Sequence, residues 1–154
     1  MQKKCFLAAP FKSLVDEETG KMKDKDINLI TNLIEYLEQK GFRVHNAHKR
    51  EAWGNNFMSP EQCTKIDYDE IKDCDLFIAF PGKPASPGTH IEIGWACAFG
   101  KPIVLLLHNS ETDYAYLIRG LHTVGNVKKI IYNNEEDYIK ELDKYLKVIN
   151  NDIC

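Results

Sequence analysis

The chain has 154 residues, of which 44% are hydrophobic and 28% charged, and its 20 Lys+Arg against 23 Asp+Glu leave a net charge of −3. That length suits one domain, residues 1–154, with a core large enough to fold without disulfide or structural metal. The charge balance argues against a protein that wraps nucleic acid, and the longest aliphatic run, residues 103–107, is far too short to span a membrane.

In chain order, residues 4–9 are a short apolar run before Pro10 and read as a buried strand. The apolar stretch ends before Lys12, too early for a signal peptide. Residues 24–40 carry Ile27, Ile30, Leu33, Ile34 and Leu37 at helical spacing and stop at Gly41, a C-cap signal. Residues 42–45 return as a strand. Residues 45–60 are polar, include Trp53, Gly54, Asn55 and Asn56, and show no clear period; long connections of this kind are often functional. Residues 60–74 fit a helix with Pro60 and Glu61 in its first turn, and 75–80 an apolar strand. A Pro/Gly/Ser loop covers 81–88, and a helix rich in small residues covers 89–99 and ends at Gly100. Residues 102–107 are the most apolar strand and 128–132 the last. An amphipathic helix over 134–149 presents Tyr138, Leu142, Tyr145, Leu146 and Ile149. No internal repeat or low-complexity tract interrupts the pattern.

Strand–helix alternation with continuously apolar strands predicts an α/β protein whose parallel sheet is covered on both faces. About five strands suit a small doubly wound, flavodoxin-like (Rossmann-like) fold, in which ligands bind outside the carboxyl ends of the strands. That rule selects residues 10–13, 45–60, 81–89 and the stretch after Leu107. The five cysteines form no C-x-x-C pair, which suits reduced thiols and a cytoplasmic location.

The 81–89 segment is the richest in chemistry. Ser86-x-Gly88-Thr89 just before a helix offers hydroxyls and unpaired amides at the positive end of the helix dipole, a seat for phosphate. Glu92 follows one turn later. Thr89-x-x-Glu92 also matches a capping box, with Thr as cap and Glu reaching back, and spacing alone leaves both readings open. Asp67, among Asp69, Glu70 and Asp73, reads on its own as an exposed helix acid. The five histidines are scattered without zinc-ligand spacing, and His90 and Glu92 diverge on a helix. No metal or other cofactor is expected. Cys97, among Ala96, Ala98 and Phe99, is not a nucleophile candidate.

The stretch from Asp67 to Leu107 resembles the nucleoside 2-deoxyribosyltransferase-like superfamily, which includes deoxyribosyltransferases and nucleoside 5'-monophosphate N-glycosidases such as CMP hydrolases. The likeness is carried by the strand ending at Phe80, then Ser86-x-Gly88-Thr89-x-x-Glu92-Ile93-Gly94 and Ala98-x-Gly100-Lys101-Pro102. With the opening Leu7-Ala8-Ala9-Pro10-Phe11 it spans most of the chain. The resemblance implies that Glu92 is the nucleophile or stabiliser of an oxocarbenium ion, with Asp67 as a second active-site acid. Ser86, Gly88 and Thr89 would hold a 5'-phosphate. Ala9, Phe11, Lys12 and Trp53 would meet sugar and base, with His48 and Arg50 as further groups for the polar edge of the base. Leu117, in Leu117-Ile118-Arg119-Gly120, would be lent to the site of a neighbouring subunit, making a homodimer with shared sites. A family tyrosine near the sugar is replaced here, with Cys5 at the corresponding position, which puts a deoxyribose preference in doubt. Ala115 stands near an expected hydroxyl. Ser86-Pro87-Gly88-Thr89, in place of an Asp-Ser-Gly-Thr turn, favours hydrolysis of a nucleoside monophosphate, preferably a pyrimidine such as CMP, over deoxyribosyl transfer. A module that senses nucleotide or an NAD derivative without turnover is the alternative from another class.

Overall fold

The computed structural model describes residues 1–9, 16, 18–83 and 85–151. Five strands, β1 (Lys3–Ala8), β2 (Phe42–His45), β3 (Leu76–Ala79), β4 (Ile103–His108) and β5 (Val127–Tyr132), form one sheet in the order β2-β1-β3-β4-β5. Every pairing is parallel. This is the flavodoxin-like order, and its topological switch lies between β1 and β3.

Strand side chains alternate between two cores, as the pleat requires. Cys5, Leu7, Ile78, Val104 and Leu106 face one layer, built with helices α1 (Asp24–Gln39) and α6 (Glu135–Asn151) through Ile30, Leu33, Leu37, Tyr138 and Leu142. Phe6, Ala8, Phe77, Ala79, Ile103 and Leu105 face the other. There Ile71 of α3 (Pro60–Asp73), Ile93 and Ala96 of α4 (Pro87–Ala98) and Ile118 of α5 (Tyr116–Gly120) cover the sheet. Both faces being dry at the centre of the sheet explains the continuously apolar β3 and β4, while the edge strands β2 and β5 carry exposed residues.

Three local features differ from the sequence reading. Residues 45–60 are not without regular structure: Asn46 caps a short helix, α2 (Ala47–Arg50), by accepting from Lys49 N, and a 3-10 turn follows over Ala52–Gly54. Neither is long enough to show a period. The turn is left-handed at Ala52, Trp53 and Gly54 (φ 48°, 58° and 94°), and a Cβ at Gly54 would stand 2.6 Å from the Gly20 carbonyl oxygen. Second, α4 starts at Pro87, two residues early, with Ser86 as its N-cap. Third, α5 is a helix the spacing did not announce.

Candidate active site

A cleft of about 480 Å³ opens beyond the carboxyl ends of β1 and β2, between α3 and α4. Phe6 to Ala9 supply its floor, the β2–α3 connection one wall, and Ser86 to Glu92 with Trp95 the other. On α3, a capping box between Ser59 and Gln62 with Pro60 at the start fixes the first turn. Cys63, Thr64 and Asp67, spaced along one stripe, then face the cleft. On α4, Gly88, Ile91, Glu92 and Trp95 make the corresponding stripe.

Asp67 is only 8% exposed, so it is not the surface acid that its acidic neighbours suggested. Its Oδ1 accepts from Arg50 Nη1 at 2.5 Å, and His45 Nε2 stands 3.3 Å away. The same Arg50 donates through Nη2 to Glu51 Oε1 at 3.1 Å. One guanidinium therefore bridges two buried carboxylates, using the fork geometry peculiar to arginine.

The capping-box reading of Thr89 and Glu92 is overturned. With Ser86 as N-cap, Glu92 lies in the second turn, beyond reach of the cap amide. Its carboxyl is pushed up to about 8, first by burial and then by the charge of Asp67, with Arg50 pulling the other way. The Glu92 side chain makes no hydrogen bond among the described residues, and the charges that act on it are those of Asp67 and Arg50. A carboxyl held this way, in a cleft and without a structural partner, is a candidate reactive group.

At the α4 N-terminus, Pro87 leaves one fewer orphan amide, and Thr89 N lies 3.5 Å from Ser86 Oγ. That contact is too long to commit the Ser86 hydroxyl. Thr89 is buried and its Oγ1 donates to the Ala9 carbonyl at 3.2 Å, so what it offers an anion is its backbone N–H. The same carbonyl accepts from His48 Nε2 at 3.3 Å. Burial pushes His48 down to about 4, leaving it neutral. Its role is to fix the end of β1 rather than to meet a base edge as a charge.

The cleft thus brings together Glu92, Asp67, Ser86, Gly88, Thr89 and Ala9. Trp53 is outside it, packed on the core layer of α1. Leu117, 84% exposed on α5, does not line the cleft of its own chain among the described residues. Phe11 and Lys12 lie outside the described residues. The pairing of Cys5 with the missing tyrosine also needs correcting. Cys5 is buried in the opposite core layer, whereas Phe6 lines the cleft, stacked between His45 and Phe77 at 5.1 and 5.5 Å. Strand alternation, which sets Phe6 on the face of Ala8, was the signal for this. Glu51 carried no signal beyond its place in the 45–60 segment. Among the described residues no group of three or more His, Cys, Asp or Glu is placed to hold a metal ion, and no helix is long and apolar enough to cross a membrane.

Comparison with known proteins identifies the family and the fold. The family model for nucleoside 2-deoxyribosyltransferase matches residues 20–129. Among solved structures, the chain is similar to the Clostridium botulinum CMP N-glycosidase BcmB, with 56% identity over 93% of this chain and 99% of that one and a TM-score of 0.74. BlsM is 44% identical over 97% of this chain and 94% of its own, with a TM-score of 0.79. A conserved protein from Enterococcus faecalis V583, at 17% identity over 94% and 99% of the two chains and a TM-score of 0.66, shares the fold. No curated protein matches. From its five-stranded parallel sheet to the cleft beside β1, the chain belongs to the nucleoside 2-deoxyribosyltransferase family.

Proposed function

We propose that this protein hydrolyses the N-glycosidic bond of a nucleoside 5'-monophosphate, with CMP favoured, to free base and ribose 5-phosphate. The observation that carries this reading is Glu92: a carboxyl without a structural partner, facing Asp67, one turn from a helix terminus suited to phosphate. The 56% identity to a protein described as a CMP N-glycosidase supports both the reaction and the base.

The phosphate sits on the Ser86 hydroxyl and the Gly88 and Thr89 amides, and this remote binding places the sugar over Glu92. The ionised Glu92 attacks the anomeric carbon opposite the base. The C–N bond breaks with its electron pair passing to the base, which takes up a proton from water in the cleft. Water then attacks the same carbon and Glu92 leaves as carboxylate. Asp67, ion-paired with Arg50, accepts the proton of that water. No metal enters these steps.

The enzyme works in the cytoplasm, where Cys5, Cys63, Cys74 and Cys97, all free, remain reduced. It acts as a homodimer. Tyr116 and Leu117, each 84% exposed on α5, supply an apolar surface for a second copy, and Leu117 completes that copy's site.

The test is incubation without added metal of the pure protein with CMP, dCMP, the other monophosphates and cytidine, resolving free base by chromatography, with Glu92→Gln as control. Base released from monophosphates and not from cytidine, and lost in Glu92→Gln, is the expected result. Base that appears only when an acceptor base is supplied identifies a deoxyribosyltransferase. Nucleotide binding without release identifies a sensing module.

A further inference from the structure

We infer that Glu51 selects the base, by accepting a hydrogen bond from an exocyclic amine such as the 4-amino group of cytosine; the inference rests on the nucleotide reading above. Glu51 is 8% exposed and lines the cleft. Its Oε1 accepts from Arg50 Nη2 at 3.1 Å, while its Oε2 accepts no hydrogen bond among the described residues.

Charge in the cleft makes this acid conspicuous. Arg50 is the one lysine or arginine among the described lining residues, and it already serves Asp67 at 2.5 Å. His48 adds no cation, because burial keeps it neutral. In charge, Asp67 alone balances Arg50. A second carboxylate on the same guanidinium leaves the cluster with surplus negative charge and surplus acceptor capacity, which burial makes costly unless a donor arrives. The neighbouring wall, Phe57 and Met58, is apolar and supplies no donor from its side chains.

Position within the chain of contacts fits a base edge. The charges of Asp67 and Arg50 both act on Glu92, and Glu51 is joined to them on the second nitrogen of Arg50. The amine of cytosine stands across the ring from the nitrogen bonded to the sugar, so it points away from the reacting carbon, as Glu51 lies beyond Arg50. An ionised carboxylate accepts from an amine and repels a carbonyl oxygen. Uracil, which carries a 4-keto oxygen in place of the amine, would set two acceptors face to face.

The test compares kcat/KM for CMP and UMP in the wild type and in Glu51→Gln. The wild type is expected to favour CMP by roughly 10- to 100-fold, and Glu51→Gln to erase most of that ratio while keeping UMP turnover, since its amide can donate to the keto oxygen. Equal losses on both substrates, or an unchanged ratio, overturn the proposal. Calorimetric binding of CMP and UMP to Glu92→Gln, with and without Glu51→Gln, reads the same discrimination without turnover. A CMP preference there that vanishes with Glu51→Gln upholds base selection even if no base is ever released; failure to distinguish CMP from UMP overturns it. Should Glu51→Gln not fold, Glu51→Asp keeps the charge on a shorter stem and is expected to weaken the CMP preference with a normal melting curve. A full preference in that folded variant overturns the assignment.

Discussion

Asp67 and Glu92 reach the same cleft from adjacent helices, and the charge of Asp67 is second only to burial in lifting the Glu92 carboxyl to about 8. The pair is held unequally. Asp67 has a guanidinium on it and Glu92 has no such partner. Two carboxyls in one cleft, one ion-paired and the other raised by burial, are suited to different parts in acid–base chemistry.

If ionised Glu92 is the attacking group, kcat/KM rises with pH through about 8. Asp67→Asn removes a charge that raises Glu92, so the rising limb moves to lower pH even as the rate falls. A pH–rate profile of both proteins measures the shift. Glu92→Gln lowers kcat by roughly 10³-fold or more.

Stability answers to the same group with a definite sign. The folded carboxyl stands at about 8 against an ordinary value of 4.5, so the folded protein keeps a proton that the unfolded chain releases between those limits. The stabilisation from Glu92 is complete below about 4.5, declines as pH rises and is lost above about 8. Glu92→Gln cannot ionise. Its unfolding free energy is expected to exceed that of the wild type increasingly from pH 5 to pH 9, by on the order of a few kcal/mol at the alkaline end after solvent screening. Calorimetric melts across that range check it.

Arg50→Gln leaves Asp67 and Glu51 both without their cation. Loss of one partner from a buried pair costs about 3–5 kcal/mol, and residual solvent around Arg50 brings the expected loss to about 2–3 kcal/mol. Arg50→Lys restores charge without the fork and recovers part of it. Urea denaturation ranks the three proteins. Any residual activity of Arg50→Gln has its rising limb at higher pH, because Arg50 opposes the upward shift of Glu92.

Phe6 lines the cleft, on the face of β1 opposite to Cys5, and carries no hydroxyl. The wild type is expected to process CMP at least as well as dCMP. Phe6→Tyr fills the space of a ribose 2'-hydroxyl and shifts the ratio toward dCMP by about tenfold, read from the two kcat/KM values.

Gly54→Ala tests the connection that carries Arg50 and Glu51. Gly54 has φ +94° and its missing Cβ would lie 2.6 Å from the Gly20 carbonyl oxygen. Strain and backbone crowding together predict a loss of about 1–3 kcal/mol by thermal denaturation.

The centre of the sheet was legible because β3 and nearly all of β4 are dry on both faces, and runs such as Ile103 to Leu107 have no other comfortable home. Helices α1 and α6 were legible from their apolar stripes. The 45–60 segment was legible as a place and not as a structure, since four-residue helices and left-handed turns leave no periodic trace. Asp67 and Glu92 were recognisable by motif, but their characters were not. Burial of Asp67 depends on the stripe of α3 that meets α4, and the freedom of Glu92 depends on a helix that starts at Pro87 instead of Thr89. Partnerships across the fold, such as that of Arg50 with Asp67, arise only once β2 and α3 stand side by side.

At the end of β1, backbone pairing gives out before the strand's carbonyls do. Asn46 Nδ2 reaches the Leu7 carbonyl at 2.9 Å, and His48 and Thr89 both reach that of Ala9. Side chains from the two walls of the cleft therefore stand in for a missing strand neighbour, and each wall is moored to the same short length of floor. A ligand that draws Thr89 and α4 inward pulls on a carbonyl that the opposite wall also holds through His48. The two sides of the site are mechanically one object, so loosening either mooring would blunt the fit of both.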